Sequence, residues 1–270
     1  MTGLQIRRGQ TPLIVSFPHA GTQIPDAIEK RLVSPWLARK DTDWWVRRLY
    51  DFAEVLDTTM IATDMSRTVI DVNRDPSGAS LYPGQATTGL CPVTTFDGEP
   101  LYKAGREPSA AQITQRRRRY FDSYHDALVG EIDRLHVRHG KVVLYDAHSI
   151  RSSVPRLFDG MLPHFNLGTD NGRTCAPELI ASLEAICAGS GLTSVTNGRF
   201  RGGWTTRHYG NPSAGIHAVQ MELACRTYMD EPSGQARPAN WPADFDPARA
   251  AQARAVLIDI LKACLHFATS

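Results

Sequence analysis

Two histidines of the sequence stand close behind short apolar runs, a setting typical of side chains delivered to the end of a buried strand. His19 follows the run at 13–17 on a loop bounded by prolines, and His148 follows the run KVVLY at 141–145. Two imidazoles with one carboxylate form the ligand set of catalytic zinc in hydrolases, which leaves a fourth position for water. Both are therefore candidate metal ligands, the alternative for each being an ordinary hydrogen-bonded histidine.

Asp43 is the best candidate for the carboxylate ligand, and Asp41 and Asp146 are its competitors. Asp43 lies at the start of a stretch of helical periodicity at 43–53, where it can instead be a first-turn residue favoured by the helix dipole. Asp146 can orient His148 through a hydrogen bond rather than bind a metal itself. No H-E-x-x-H motif decides between these alternatives.

Glu222 is the candidate general base. It lies in the apolar run AVQMEL at 218–223, where a carboxylate is costly unless it is paired or stands at an exposed strand end. Burial raises the pKa of such a carboxyl group toward the range that suits proton transfer. The alternative is a structural role in which Arg226 pairs with Glu222.

Five polar residues beside these positions are suited to binding a carboxylate. Arginine forks bind carboxylates through two parallel hydrogen bonds, and asparagine adds an amide donor. The glycine-rich loop at 197–210 can bring backbone and arginine close to a ligand, but it lacks the phosphate-binding GxxxxGK[ST] pattern. The candidates are Arg67, Asn73, Arg74, Arg201 and Arg207.

The elements that position these residues alternate between strand and helix. Strands are predicted at 13–17, 55–62, 68–72, 141–145 and 218–223, and helices at 43–53, 109–140, 177–188 and 248–267. This alternation predicts a three-layer α/β/α fold with a mostly parallel, mixed central sheet. Ligands of open α/β sheets bind outside the carboxyl ends of the strands, where the candidate residues lie. We expect one domain over residues 1–270, with a loop excursion at 76–108.

Composition excludes several classes of protein. The formal charge is +2 in 270 residues, so no general surface for nucleic acid is implied, and no apolar run approaches the roughly 20 residues of a membrane span. The amino terminus lacks the apolar stretch of a secretion signal. Five cysteines without C-x-x-C spacing favour reduced thiols. We expect a cytoplasmic enzyme that acts on a small molecule, while its oligomeric state stays open.

Taken together, six motifs between residues 13 and 223 resemble the N-formylglutamate amidohydrolase (N-formylglutamate deformylase) family. They are SFPHAGTxIP, DxxVxxLY, SRTVIDVNRD, YDAHS, GRFRGG and AVQMEL. The resemblance implies a phosphorylase/hydrolase-like fold of the zinc-dependent exopeptidase type. It also implies hydrolysis of N-formyl-L-glutamate to formate and L-glutamate, the last step of one bacterial route of histidine degradation.

The resemblance also implies roles for particular residues. In the carboxypeptidase scheme two histidines bind zinc, an Asn-Arg pair grips the terminal carboxylate of the substrate, and a glutamate on a late strand is the general base. His19 and His148 match the ligands, Asn73-Arg74 the carboxylate grip, and Glu222 the base.

One position departs from the carboxypeptidase scheme. Carboxypeptidases place a glutamate three residues after the first histidine, and this sequence has Thr22 there, so Asp43 has to supply the carboxylate. For an acidic substrate, Arg67 is then expected to support the oxyanion, and Arg201 or Arg207 to hold the γ-carboxylate.

The expected activity is therefore metal-dependent hydrolysis of N-formyl-L-glutamate. We expect one divalent metal ion, and zinc is the first candidate. Two alternatives are a deacylase for another N-acyl acidic amino acid, with the 76–108 excursion setting acyl size, and a non-catalytic protein that binds acidic amino acids. Release of formate separates the enzymes from the binding protein.

Overall fold

The computed structural model describes residues 3–80, Gly84 and 87–270. Within these residues seven strands form one sheet in the order β1-β3-β2-β4-β7-β5-β6. The strands are β1 Leu4–Arg7, β2 Leu13–Phe17, β3 Thr59–Thr63, β4 Val142–Ile150, β5 Phe165–Gly168, β6 Ser194–Thr196 and β7 Ile216–Ala224.

The sheet is mixed and mostly parallel, as the sequence predicts. Strands β3, β2, β4 and β7 run parallel to one another and form its centre. Strand β1 pairs antiparallel with β3, and β5 pairs antiparallel with β7 before the parallel β6 closes the other edge. The four parallel strands bring their carboxyl ends to one edge, where the candidate residues collect.

Helices cover both faces of the sheet. They are α1 Asp26–Glu29, α2 Val46–Leu49, α3 Ala110–Arg116, α4 Asp122–His139, α5 Pro177–Gly189, α6 Trp204–Tyr209 and α7 Pro247–Thr269. A π-helical segment joins α3 to α4, so the predicted helix at 109–140 is confirmed apart from this bulge. Ser109 begins it with a capping box, and Gly140 ends it in the left-handed conformation at φ 72°. None of the described helices is long and apolar enough to cross a membrane.

One face of the sheet is mostly apolar. Tyr145 and Met221 are buried there in a cluster with Leu49 of α2, Leu183 of α5 and Leu257 of α7. Since strand side chains alternate between faces, the odd-numbered positions from 143 to 147 in β4 and from 219 to 223 in β7 share this environment. This cluster fixes the register of the two central strands.

The opposite face changes character along the strands. At the amino ends, Leu144 and Ala218 pack in a second cluster with Leu128 and Leu135 of α4, which gives the predicted three layers. Toward the carboxyl ends, the same face of β4 carries Asp146 and His148, and that of β7 carries Gln220 and Glu222, all of them buried. Buried polar groups are costly unless they are paired, so this half of the face needs a network of partners.

Four predicted elements differ from the structure. The strand predicted at 55–62 begins only at Thr59, because residues 55–57 form a turn. Residues 68–72 form turns rather than a strand, although Val69 and Ile70 are buried. The predicted helix at 43–53 is only the short α2 followed by a 3-10 turn, and Trp45 before it has a left-handed φ of 62°. Strand β4 extends to Ile150, which places Asp146 and His148 inside the strand instead of after it. Strand β7 makes this extension possible, because it pairs with β4 along its full length.

Candidate metal centre and active site

His19 lies on the loop that leaves β2, and this loop packs tightly against the chain after β3. A Cβ atom on Gly21 would lie 2.3 Å from the backbone carbon of Asp64, so only glycine allows this approach. The His19 ring is buried, and its Nε2 lies 2.6 Å from Oδ1 of Asp71. The carboxylate accepts a hydrogen bond there, which assigns the His19 proton to Nε2.

His148 is held in the same way by a different carboxylate. Its Nε2 lies 2.9 Å from Oδ2 of Asp146, two residues earlier on the same face of β4. The other oxygen of Asp146 accepts a hydrogen bond from Ser16 on the neighbouring β2, at 2.8 Å. Nδ2 of Asn73 lies 2.9 Å from the same Nε2, but it also donates to Asp146, so we assign a proton to Nε2 of His148 as well.

The two remaining ring nitrogens face each other. Nδ1 of His19 lies 3.1 Å from Nδ1 of His148, and Oδ2 of Asp43 lies 3.8 Å and 3.0 Å from them. With a proton on each Nε2, both Nδ1 atoms and Oδ2 of Asp43 converge on one point. Such a set needs a positive charge between its members, either a proton on Nδ1 of His148 or a metal ion, and an imidazole backed by a carboxylate is the arrangement that metal-binding histidines adopt.

Asp43 reaches this point because the chain before α2 is fastened to the His19 loop. The backbone N–H of Asp43 donates to the carbonyl oxygen of His19 at 3.1 Å. Its Oδ2 accepts from the backbone N–H of Ser149 at 3.2 Å, and its Oδ1 lies 3.6 Å from Nη1 of Arg67. The ligand atoms of His19, Asp43 and His148 all lie within 4.8 Å of one another, so these residues fit a divalent metal ion.

The two competing carboxylates have other partners. Asp41 accepts from the backbone N–H of Phe96 at 2.7 Å and pairs with Arg151 at 3.5 Å. Asp146 contacts the outer nitrogen of His148, as described above. The geometry therefore favours Asp43 among the three carboxylates that the sequence offers.

The pKa values of the site reflect the same convergence of charge. Burial alone lowers the pKa of His148, but Asp146 and Asp43 outweigh burial and raise it well above 6.5. Burial, followed by Arg67, lowers the pKa of His19. Burial acts to raise the pKa of Asp43, but its hydrogen bond with His148 leads the effects that lower it.

Glu222 stands directly beside His148, since the two residues are register partners in the parallel β4–β7 pair. Burial raises the pKa of Glu222 to about 8. Its Oε2 accepts a hydrogen bond from Nε2 of Gln220 at 3.2 Å, whereas Arg226 interacts with Glu231. A carboxylate with this pKa beside a metal centre is suited to exchanging protons near neutral pH.

A cleft opens from the metal centre toward two loops. The centre of a water molecule can occupy about 60 Å³ of this cleft. Its walls are His19, Arg67, Asn73, Arg74, Thr87, Thr88, Phe96, His148, Ser149, Ile150, Leu157, Arg199, Phe200, Gly203, Gln220 and Glu222. Four predicted substrate or catalytic residues, Arg67, Asn73, Arg74 and Glu222, therefore meet in one cleft.

The two arginines of the cleft are held differently. Arg67 is buried, and its Nη2 donates to Oδ2 of Asp71 at 2.7 Å, which keeps the guanidinium beside both the metal ligands and the cleft. Arg74 is partly exposed and donates through Nε to the carbonyl oxygen of Thr88 at 3.0 Å. Arg67 thus lies at the metal end of the cleft. Arg74 lies beside Thr88, which belongs to the 76–108 excursion.

Asn73 joins the elements around the cleft. Its Nδ2 donates to Oδ2 of Asp146 at 3.0 Å, and its Oδ1 accepts from the backbone N–H of Thr205 at 2.8 Å. A Cβ atom on Gly203 would lie 2.4 Å from Nδ2 of Asn73, so α6 can begin here only because position 203 is glycine. Asn73 lines the cleft, but both ends of its amide also hold protein groups.

The glycine-rich loop places a different arginine in the cleft from those that the sequence favours. Arg199 lines the cleft and donates through Nε to the carbonyl oxygen of Leu157 at 2.7 Å. Arg201 is exposed and donates to the carbonyl oxygen of Gly198, and Arg207 pairs with Asp170 at 3.5 Å. Among the described residues, the walls of the cleft include neither Arg201 nor Arg207.

Sequence reasoning missed Asp71 as well as Arg199. Asp71 interrupts the apolar residues at 69–72, and a buried carboxylate in such a run needs cationic or donor partners. Burial acts to raise its pKa, but surrounding cations, Arg74 foremost, hold it well below its usual range. A carboxylate within this apolar run is the sequence feature that points to Asp71. Nothing in the sequence distinguishes Arg199 from the other arginines of its loop.

The chain is similar to known proteins over most of its length. The family model described as N-formylglutamate amidohydrolase matches residues 11–229. The chain is 47% identical to N-formylglutamate deformylase of Pseudomonas aeruginosa, over 97% of this chain and 96% of the relative. It is 49% identical to N-formylglutamate deformylase of Pseudomonas putida, over 84% and 85% of the two chains. A solved N-formylglutamate amidohydrolase from Ralstonia eutropha superposes with a TM-score of 0.79 at 25% identity, covering 97% of each chain.

Proposed function

The chain belongs to the N-formylglutamate amidohydrolase family and hydrolyses the amide bond of N-formylglutamate, and we propose that it does so with a divalent metal ion held by His19, Asp43 and His148. The observation that carries the metal proposal is the convergence of two Nδ1 lone pairs and one carboxylate oxygen around a single point. Two imidazoles with one carboxylate favour zinc among the divalent ions, and they leave a coordination position for water.

The substrate is anchored by its charges. N-formylglutamate carries an α-carboxylate and a γ-carboxylate, and the cleft wall contains the cations Arg74 and Arg199 besides Arg67. We assign the α-carboxylate, which is one carbon from the scissile amide, to Arg74, because its Nε lies 3.7 Å from Oδ2 of Asp71, the carboxylate that holds His19. Arg199 is assigned the γ-carboxylate; Arg201 and Arg207 remain the candidates from the same loop to be tested beside it.

The reacting amide then lies at the metal end. When bound, a divalent ion supplies a Lewis acid that polarises the carbonyl and lowers the pKa of a water molecule. Glu222 accepts the proton of the attacking water and returns it to the amine as the carbon–nitrogen bond breaks. Arg67, fixed by Asp71, donates hydrogen bonds to the carbonyl oxygen as negative charge develops on it.

The residues behind the ligands keep this arrangement in place. Asp71 and Asp146 accept the Nε2 protons of His19 and His148 and so direct both Nδ1 lone pairs toward the metal position. Asn73 ties Asp146 to the loop that begins α6. We propose that Asn73 chiefly positions these elements, and that the predicted contact with substrate belongs to its partner Arg74.

The test measures formate released from N-formylglutamate, N-formylaspartate and N-acetylglutamate, with and without prior chelation. We expect preference for N-formylglutamate, about one divalent ion per chain, loss of turnover after chelation and recovery when zinc is added. Full activity after metal removal, verified by elemental analysis, would contradict the metal centre. Preference for N-acetylglutamate would instead point to the alternative deacylase, and binding without any formate would point to an acidic amino-acid binding protein.

Two wider proposals follow from the resemblance. We propose that the reaction supplies glutamate in histidine degradation, tested by growth of a deletion strain on histidine as nitrogen source. We also propose that it takes place in the cytoplasm, where five buried and unpaired cysteines stay reduced. Cell fractionation tests the second proposal directly.

A further inference from the structure

A short hairpin at 94–100 forms one wall of the cleft. Thr94 pairs with Pro100, and the backbone N–H of Thr95 donates to the carbonyl oxygen of Glu99 at 2.9 Å. Gly98 makes the turn with a φ of 90°, a conformation that favours glycine. Phe96 stands near the tip of this hairpin and lines the cleft.

Phe96 faces the metal end of the cleft. Its ring lies 4.7 Å from the guanidinium carbon of Arg67, within the range of a cation–π contact. Arg67 in turn lies beside Asp43 and donates to Asp71, which holds His19. The ring is therefore next to the place where the carbonyl group of the substrate has to lie if Arg67 contacts its oxygen.

Buried charges hold the 94–100 hairpin in position. The Nζ of Lys40 is fully buried and lies 2.6 Å from Oδ2 of Asp97 and 2.5 Å from Oε2 of Glu99. Arg151 reaches the same oxygen of Asp97 at 2.7 Å. A buried ammonium group is strongly destabilising once a partner is lost, so the hairpin cannot swing away without uncovering Lys40.

Hydrogen bonding and packing also hold Phe96 itself in position. Its backbone N–H donates to Oδ2 of Asp41 at 2.7 Å, and Asp41 is also paired with Arg151. The side chain packs in a small apolar cluster with Ile150 and Val154. Phe96 thus has its backbone and its ring both fixed, which makes it a wall of constant position.

We propose that Phe96 sets the size of the acyl group that this enzyme accepts. The inference rests on the proposed function, in which Arg74 and Arg199 hold the two carboxylates of the substrate and Arg67 contacts its carbonyl oxygen. The substituent on the carbonyl carbon then lies beside the Phe96 ring, 4.7 Å from the guanidinium carbon of Arg67. A formyl hydrogen fits against the Phe96 ring, whereas the methyl group of an acetyl substrate meets a side chain that cannot retreat.

The experiment compares kcat/KM for N-formylglutamate, N-acetylglutamate and N-propionylglutamate in Phe96→Leu, Phe96→Ala and the unaltered enzyme. The intrinsic reactivity of the acyl groups cancels when the acetyl-to-formyl ratio of each variant is divided by that of the unaltered enzyme. We expect this ratio to rise about tenfold in Phe96→Ala, the effect of roughly one methylene group in a pocket, and less in Phe96→Leu. The propionyl substrate should gain most in Phe96→Ala.

Phe158→Ala is the matched control, because Phe158 packs at the edge of the same apolar cluster and is not among the walls of the cleft. It should leave the acetyl-to-formyl ratio unchanged, and metal content and melting temperature of all variants show that they are folded. The proposal is overturned if kcat/KM falls equally for all three acyl substrates in Phe96→Ala, or if Phe158→Ala changes the acetyl-to-formyl ratio in the same way. If the unaltered enzyme does not release formate, the proposed function itself fails, and that result is distinct from an unchanged ratio in an active enzyme.

Discussion

The two ends of the cleft are built from different parts of the molecule. At the metal end, His148 and Glu222 lie inside paired strands, and each histidine has a buried carboxylate behind it. At the carboxylate end, Arg74 and Arg199 lie on loops, and their guanidinium groups donate to backbone carbonyl oxygens.

This difference separates the tasks of the two ends. Strand residues backed by ionised partners are held rigidly, which suits groups that have to match a transition state. Loop arginines that rest on carbonyl oxygens can adapt their position to a ligand. We therefore expect substitutions at the metal end to lower metal content or kcat, and substitutions at the carboxylate end to raise KM.

The largest effect is expected for His19→Ala and His148→Ala. Each removes one of the three proposed ligands, so bound metal and formate release should both fall to background. Elemental analysis after gel filtration measures the first, and a formate assay the second. His266→Ala, which changes an exposed histidine of α7, is the control and should retain both. Full metal content in both ligand variants would place the metal elsewhere.

Glu222→Gln should have the next largest effect and should leave the metal in place. The amide keeps the shape of the side chain but cannot accept a proton, so kcat should fall by about 10² to 10⁴ with little change in KM. Steady-state kinetics with parallel metal analysis separates this result from loss of the ion. Glu178→Gln, an exposed change on α5, serves for comparison. Unaltered kcat would remove Glu222 from the mechanism and leave it as a structural carboxylate.

Much of the metal end could be predicted from sequence because it depends on strand periodicity. Apolar runs locate β2, β4 and β7, and the rule that ligands collect at the carboxyl ends of parallel strands brings His19, His148 and Glu222 together. The sequence also favours Asp43 over Asp41 and Asp146, but it does not show how Asp43 reaches the two histidines. The hydrogen bond that fixes it runs from its backbone to His19, and no sequence pattern encodes that contact.

The carboxylate end could not be predicted in the same detail because loops lack periodicity. Of the arginines in the loop at 197–210, only the folded backbone shows that Arg199 lines the cleft. The residues at 68–72 resemble a strand in their apolar pattern, yet they form turns, since Asp71 has to reach His19 and Arg67. The contacts of Asp71 within the site outweigh the local preference of these residues for a strand.

Asp71 is the residue where the two ends meet, and its substitution tests whether they are separate. Asp71→Asn weakens the support of His19, and it also removes the charge beside Arg67 and Arg74. Asp146→Asn weakens the support of His148 and the contact with Asn73, but it leaves the charge beside Arg67 and Arg74 in place. Loss of such outer carboxylates costs about 10- to 100-fold in metal affinity, measured by competition with a chromogenic chelator. KM should rise in Asp71→Asn alone; a similar rise in Asp146→Asn would show that the two ends are not independent.

The smallest effect is expected at Arg199, and it tests the carboxylate end directly. A charged hydrogen bond contributes about 1.5 to 3 kcal/mol, so Arg199→Gln should raise KM for N-formylglutamate by roughly 10- to 100-fold and leave kcat nearly unchanged. N-formylglutamine, whose side chain is uncharged, should be affected far less by the same substitution. Arg201→Gln and Arg207→Gln are the matched changes in the same loop. If one of these variants has a selectively raised KM for N-formylglutamate while Arg199→Gln does not, the γ-carboxylate binds to that arginine. The loop would then have to lie closer to the substrate than it does in this structure.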